Sequence, residues 1–175
     1  MVDYVNPFIR STIAVYRTML NCEIQQGEAV RNEHFQPQHD ISGVIGLTGD
    51  VSGTVILSVS SDVALNATEA LLGFRPDAVN EDVVDAVGEL TNMIAGGAKT
   101  ELTSFNMCLA LPAVISGANH VVSFGSQVRP VFLPFTTPWG EFSVEVGFVE
   151  CNALQEAILR FRQENQDRQS ELQQR

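Results

Sequence analysis

Basic residues are scarce in this chain: 10 Lys and Arg stand against 21 Asp and Glu, a formal net charge of −11. A surface so acidic repels phosphate backbones and anionic headgroups, which argues against nucleic acid and membrane as partners. A protein partner fits better, and any basic groups on it would be attracted. Cysteine is sparse too. Cys22, Cys108 and Cys151 are an odd, scattered set with no C-x-x-C pair, as expected of reduced thiols in a cytoplasmic protein. His34, His39 and His120 lack metal-ligand spacing, so no metal site is expected, and His34 and His39 in their polar loop should face solvent. The longest apolar stretch, MCLALPAVI, is too short to span a bilayer and contains Pro112, and the N-terminus carries no signal-peptide pattern. Also missing are a Ser/His/Asp set with a recognisable elbow and a glycine-rich phosphate loop.

What is present is a core and an order of elements. Apolar residues make up 45% of the 175, enough for one domain. Residues 3–21 hold Phe8, Ile9, Ile13, Val15, Tyr16, Met19 and Leu20 at helical spacing, with Asn6-Pro7 expected as cap and first helical proline. A polar stretch, 25–40, reads as a loop or an irregular strand. DISGVIGLTGDVSGTVILSVS reads as a hairpin that turns within TGDVSG. Ser61 is expected to cap a short helix, DVALNATEALL, which Gly73 closes. Asn80 opens a longer helix over about 81–103.

The last third turns to strands again. LALPAVISGANHVVSF reads as broken extended structure, and VRPVFLPFTTPWGEFSVEVGFVE as a second hairpin with Pro138-Trp139-Gly140 at its tip. There Phe142, Val144, Val146 and Phe148 alternate with Glu141, Ser143, Glu145 and Gly147, which predicts one buried face and one wet face. Together the elements predict an α+β fold, an antiparallel sheet with helices packed on one face. GLTGDVSGTVILSV and PFTTPWGEFSVEV share a shape that hints at a weak internal duplication of helix plus hairpin. The domain is expected over 1–151. Residues 152–175 read as a polar, helical tail with an apolar edge of Leu154, Ile158 and Phe161; it is either a fraying terminal helix or a contact helix for a partner.

One helix stands out. DAVGELTNMIAGGAK, residues 85–99, carries Gly88, Gly96 and Gly97, each of which costs a helix interior about 1 kcal/mol relative to alanine. At about 100° per residue, Val83, Val87, Leu90, Ile94 and Ala98 fall on one stripe, which should pack into the core. Asp85, Glu89, Asn92, Gly96, Lys99 and Thr103 fall on the opposite, outward stripe. Glu89 and Asn92, at i and i+3, project side by side. Gly96 one turn on leaves bare backbone, which makes sense if something approaches closely along that face. For Gly88 and Gly97, nearer the flanks, close packing of a neighbour is reason enough. The bland alternative is that Glu89 and Asn92 are solvated residues of an amphipathic helix, since E-x-x-N is a weak string.

One carboxylate and one carboxamide cannot supply nucleophile, base and oxyanion hole for a stable substrate. They can assist a reaction whose substrate is already activated and whose other groups come from a partner. A carboxamide both donates to and accepts from water, so it can orient a nucleophile.

DAVGELTNMIAGGAKTEL closely resembles the E-x-x-N-x-x-x-G helix of the CheC/CheX/FliY family of CheY-phosphate phosphatases, and its CheX-type members in particular. DISGVIGLTGDVSGTVILS resembles the first hairpin of that family, and PFTTPWGEFSVEV the closing hairpin, so the resemblance spans about residues 4–150. It implies a CheC-like fold and a helix that docks on the phosphorylated receiver domain of a CheY-like response regulator in chemotaxis-type signalling. It further implies that Asn92 orients the attacking water and that Glu89 pairs with a lysine of the partner. Gly96 would give clearance, and Asp85 and Lys99 would take part in docking. Mg²⁺ would belong to the receiver, with no cofactor in this chain. CheC-like members carry two E-x-x-N helices; NPFIRSTIAVYRTML lacks the motif, so one site per chain is expected, and a homodimer. The competing expectations are a non-catalytic module that binds a response regulator or flagellar-switch protein and, more remotely, a small-molecule hydrolase.

Overall fold

In a computed structural model that describes residues 4–31 and 39–151, the first apolar helical pattern becomes α1, Val5–Leu20. It begins earlier than Asn6-Pro7 suggests. Tyr4 is the N-cap without a side-chain bond, and Asn6 and Pro7 lie in the first turn. Proline is tolerated there because the first four helical N–H groups have no intrahelical partner. Two short strands, β1 (Gln25–Gln26) and β2 (Val30–Arg31), occupy the start of the polar stretch. The expected hairpin is β3 (Ile41–Gly49) and β4 (Val51–Val59), with Gly49 at φ 103° in the turn.

Helix α2, Ser61–Leu72, is capped one residue before the expected serine: Ser60 accepts a bond from the Val63 N–H at 3.3 Å. Ser61 is the first helical residue instead, because only the extended backbone of Ser60 aims a hydroxyl at the open N–H groups. Gly73 ends the helix at φ 79°, as expected. Asn80 caps α3, Glu81–Glu101, through its Oδ1 and the Val83 N–H at 3.2 Å. Glu81 and Asp82 in the first turn and Lys99 in the last suit the helix dipole.

The strands β5 (Met107–Leu109), β6 (Ala113–Ser116), β7 (Val131–Thr137) and β8 (Gly140–Glu150) complete one antiparallel sheet in the order β1-β7-β8-β4-β3-β5. β2 also pairs with β7, and β6 with β3. The α+β expectation, with three helices on one sheet face, describes this architecture. Val55, Leu57 and Val59 of β4 sit opposite Val146, Val144 and Phe142 of β8 and form the helix-facing core with Phe8, Tyr16, Leu90 and Ile94. Tyr16 stacks on Phe142 at 4.4 Å between ring centres, and Phe142 on Phe135 at 5.1 Å. The expected tail, 152–175, and His34 lie outside the described residues.

The far face of the sheet departs from expectation. Glu141 is exposed, but Gly147 is buried, and Ser143 and Glu145 are each only 1% exposed. Part of the reason is the segment between β6 and β7, which crosses this face. A Cβ on Gly147 would overlap Val128 Cγ1 and stand 3.0 Å from Pro130 Cα. His120 Nε2 lies 2.7 Å from Ser42 Oγ on the same face. His39 is half-buried rather than solvated; burial lowers its pKa, against an upward push from Glu141 and Asp40.

Glu145 accepts a bond from Ser143 Oγ at 3.3 Å on one oxygen, and its Oε2 has no partner among the described residues. Burial pushes its carboxyl up to about 8, only partly offset by the Ser143 bond, so it is largely protonated at neutral pH. Unfolding releases it to ionise at its ordinary value of 4.5. The folded state therefore holds an extra proton between the two values, and stability is lost as pH rises from about 4.5 to about 8. Glu145→Gln should flatten this stretch and raise stability at pH 8 by a few kcal/mol. Urea denaturation of both proteins across pH 5–9 checks this; parallel stability curves would contradict it.

Candidate functional site

The buried stripe of α3 fixes which side of the helix looks outward. Val83, Val87, Leu90, Ile94 and Ala98 are all buried. Two close approaches hold them there. Gly43 of β3 lies so near α3 that a Cβ would overlap Thr91 Oγ1 and come within 3.2 Å of the Val87 carbonyl oxygen. On the next flank a Cβ on Gly97 would overlap Ser11 Oγ of α1, which donates to the Ile94 carbonyl at 2.7 Å. At the end of α3, Arg10 Nε of α1 pairs with Glu101 Oε2 at 2.8 Å. This pair is exposed and adds little energy.

Opposite the core, Asp85, Glu89 and Lys99 are exposed, and Asn92 and Gly96 are half-buried. Thr103, expected on the same stripe, is exposed beyond the end of the helix. Among the described residues, the side chains of Asp85, Glu89, Asn92 and Lys99 make no hydrogen bond or ion pair. The Asn92 carboxamide therefore keeps its donors and acceptors available, and so does the Glu89 carboxylate.

The three glycines of this helix are not equivalent. Gly97 is required by the contact with Ser11. A Cβ on Gly88 would meet Val114 at 3.5 Å and Pro112 at 3.8 Å, ordinary contacts that alanine would also make. A Cβ on Gly96 would meet nothing within 4 Å. Gly96 thus has no packing reason to be glycine.

Chemically, the stripe offers the Asn92 carboxamide, which can orient a water, and the carboxylates of Asp85 and Glu89, with the Lys99 ammonium at its far end. Among the described residues no three His, Cys, Asp or Glu side chains converge as metal ligands, and no helix is long and apolar enough to cross a membrane. Cys22, Cys108 and Cys151 are free thiols. Such an edge can act on a substrate that brings its own electrophile. Helical periodicity does not single out the flank of this edge, where Pro112 lies against α3 at Gly88. The signal for it is a change of strand register, which only pairing reveals.

The family described as chemotaxis phosphatase CheX matches residues 41–136, a span that includes Glu89 and Asn92 of α3. The chain belongs to the CheX family. A protein of Thermotoga maritima named CheY-P phosphatase CheX is 34% identical over 125 residues, which is 69% of this chain and 81% of that one. The solved chemotaxis protein CheX of Vibrio vulnificus superposes with a TM-score of 0.79 at 33% identity, covering 85% of this chain and 100% of that one. A CheX of Borrelia burgdorferi, solved as a CheX-CheY-BeF3-Mg²⁺ complex, superposes with a TM-score of 0.74 at 26% identity, over 86% of this chain and 100% of that one.

The glycines supply a test of the packing argument that needs no partner. Gly96→Ala should stabilise the fold by up to about 1 kcal/mol, the helix propensity difference, because its Cβ enters open space. Gly97→Ala should destabilise it, because Ser11 must move and its bond to α3 is strained. Thermal unfolding of the two variants checks the opposite signs.

Proposed function

We propose that this CheX-family chain docks the outer edge of α3 on a phosphorylated CheY-like receiver and promotes hydrolysis of its aspartyl phosphate, in chemotaxis-type signalling in the cytoplasm. The observation that carries the reading is the unpaired Glu89 and Asn92 on one outward stripe, followed by a glycine in open space. The family's curated relative, named CheY-P phosphatase, and the solved complex with CheY support it.

An aspartyl phosphate is an activated acyl phosphate, so placing water correctly is a useful acceleration without a strong base. Water oxygen attacks phosphorus, the bond from phosphorus to the carboxyl oxygen breaks, and the receiver's carboxylate and inorganic phosphate leave. Asn92 orients the attacking water through its carboxamide, and Glu89 pairs with a lysine of the receiver. Gly96 leaves room for the receiver's surface, and Asp85 and Lys99 contact it beyond the two central side chains. Mg²⁺ belongs to the receiver, where it offsets phosphoryl charge. A homodimer goes with this reading, because the sheet ends on one side on two short strands, β1 and β2, that can pair between copies.

The test is the phosphoryl lifetime of a CheY-like receiver with and without this protein. Asn92→Ala should lower the rate at saturation by about a hundredfold or more, equivalent to about 2.7 kcal/mol. Glu89→Ala should raise KM more than it lowers the saturated rate. An unchanged lifetime at saturating protein would overturn the assignment, and phosphorylation-dependent binding with an intact lifetime would identify a non-catalytic receiver-binding module.

A further inference from the structure

Beside the Asn92 edge the sheet contains an irregularity that neither the core nor the proposed chemistry uses. β5 pairs with β3 in the register Leu47↔Leu109, and β6 in the register Val44↔Ala113. Two residues of β3, Ile45 and Gly46, thus face three of the edge strand, Ala110, Leu111 and Pro112. One residue is inserted, which defines a β-bulge. Ala110 still donates to the Gly46 carbonyl at 2.9 Å, and Pro112 has no N–H to give. Pro112 and Val114 turn toward α3 at Gly88, 3.8 and 3.5 Å from where its Cβ would be. Leu111, immediately before Pro112, is 91% exposed, far more than any other large apolar side chain among the described residues.

The position of this leucine matters. Around α3, Gly88 lies about 40° from Asn92 and about 60° from Asp85. The working stripe therefore runs between α1, packed at Gly97, and the bulge, packed beside Gly88. A body that rests on Glu89 and Asn92 and passes over Gly96 meets the bulge on one flank.

We propose that Leu111 is an apolar anchor for the receiver, a specificity-determining contact continuous with the Glu89/Asn92 edge. This rests on the receiver-docking reading above. A bulge next to a site re-aims a side chain, and here it turns outward a leucine that regular pairing would have left in the strand. An exposed leucine lowers solubility without adding to the core, whereas against an apolar patch of a partner it is desolvated. The polar stripe beside it is acidic at Asp85 and Glu89, so it gives long-range attraction and orientation, while Leu111 gives a contact that salt does not screen. A second copy of this chain is the poorer occupant. The bulge and Pro112 interrupt the strand edge, which is how sheets prevent edge-to-edge pairing.

The experiment measures the affinity of the full chain for a CheY receiver loaded with BeF3⁻ and Mg²⁺, together with KM and saturated rate on the phosphorylated receiver. Leu111→Asp should weaken binding about tenfold or more, with the loss in KM rather than in the saturated rate, and Leu111→Met should restore it. The loss should persist as salt is raised, whereas that of Glu89→Ala should shrink. Equal affinities for wild type and Leu111→Asp would overturn the inference while leaving the phosphatase reading intact. If sedimentation shows that Leu111→Asp only splits a dimer, with receiver affinity retained, Leu111 belongs to a self-association surface and the inference fails. A wild-type chain that neither binds the loaded receiver nor shortens its phosphoryl lifetime would overturn both.

Discussion

The rotation of α3 about its own axis depends on two places where side chains are missing. Gly43 lets Thr91 and the Val87 carbonyl settle onto β3, and Gly97 lets Ser11 reach the Ile94 carbonyl from α1. A methyl group at either position would collide with the neighbouring element rather than press on it. Turning the helix by one residue, about 100°, would remove Leu90 and Ile94 from the core and carry Asn92 away from solvent. The same contacts therefore exclude the wrong rotation and present the right one. Packing of this kind is discrete, because interiors are as dense as organic crystals and leave no room for a gradual slide.

Such a fixed helix suits chemistry performed in trans. If the electrophile, the leaving group and the metal all belong to the receiver, this chain needs only two side chains at a defined spacing on a rigid support. A loop would hold a water-orienting amide less well, because an error of about an ångström in position removes much of the benefit of orientation. The 21-residue α3, capped by Asn80 and backed by β3, β4 and α1, is such a support.

Much of this was legible in the residues. The 3.6-residue period of Val83, Val87, Leu90, Ile94 and Ala98 gives the buried side of α3, and hence its outward side, without any tertiary information. The caps at Asn80 and Gly73 are local chemistry and are placed correctly. The cap of α2 was misread by one residue because Ser60 and Ser61 are equally suitable oxygens in sequence, and only backbone direction separates them. The far face was misread for a deeper reason. Alternation in β8 shows that Ser143 and Glu145 differ from Phe142 and Val144, but burial there depends on a distant segment crossing the sheet. The bulge at 110–112 was likewise hidden, since register is a property of two strands and a single sequence shows one at a time.

Glu145, Gly96 and Leu111 each break a local rule, and they do not carry equal meaning. Glu145 is a buried carboxyl with one unpartnered oxygen, Gly96 a helix glycine in open space, and Leu111 an apolar side chain 91% exposed. Local violations concentrate at functional sites, but they also arise from structural compromise. Exposure separates the cases. Glu145 lies on the far face, where no partner reaches its oxygens without displacing what covers them, so its cost falls on stability alone. Gly96 lies one turn beyond Asn92 on the outward stripe of α3, and Leu111 precedes Pro112, which packs on α3 at Gly88. Each lowers the merit of the isolated monomer and would raise that of a complex. Two independent departures, one in a helix and one in a strand, beside the same pair of unpaired polar side chains are best explained by a surface shaped for something that is not part of this chain.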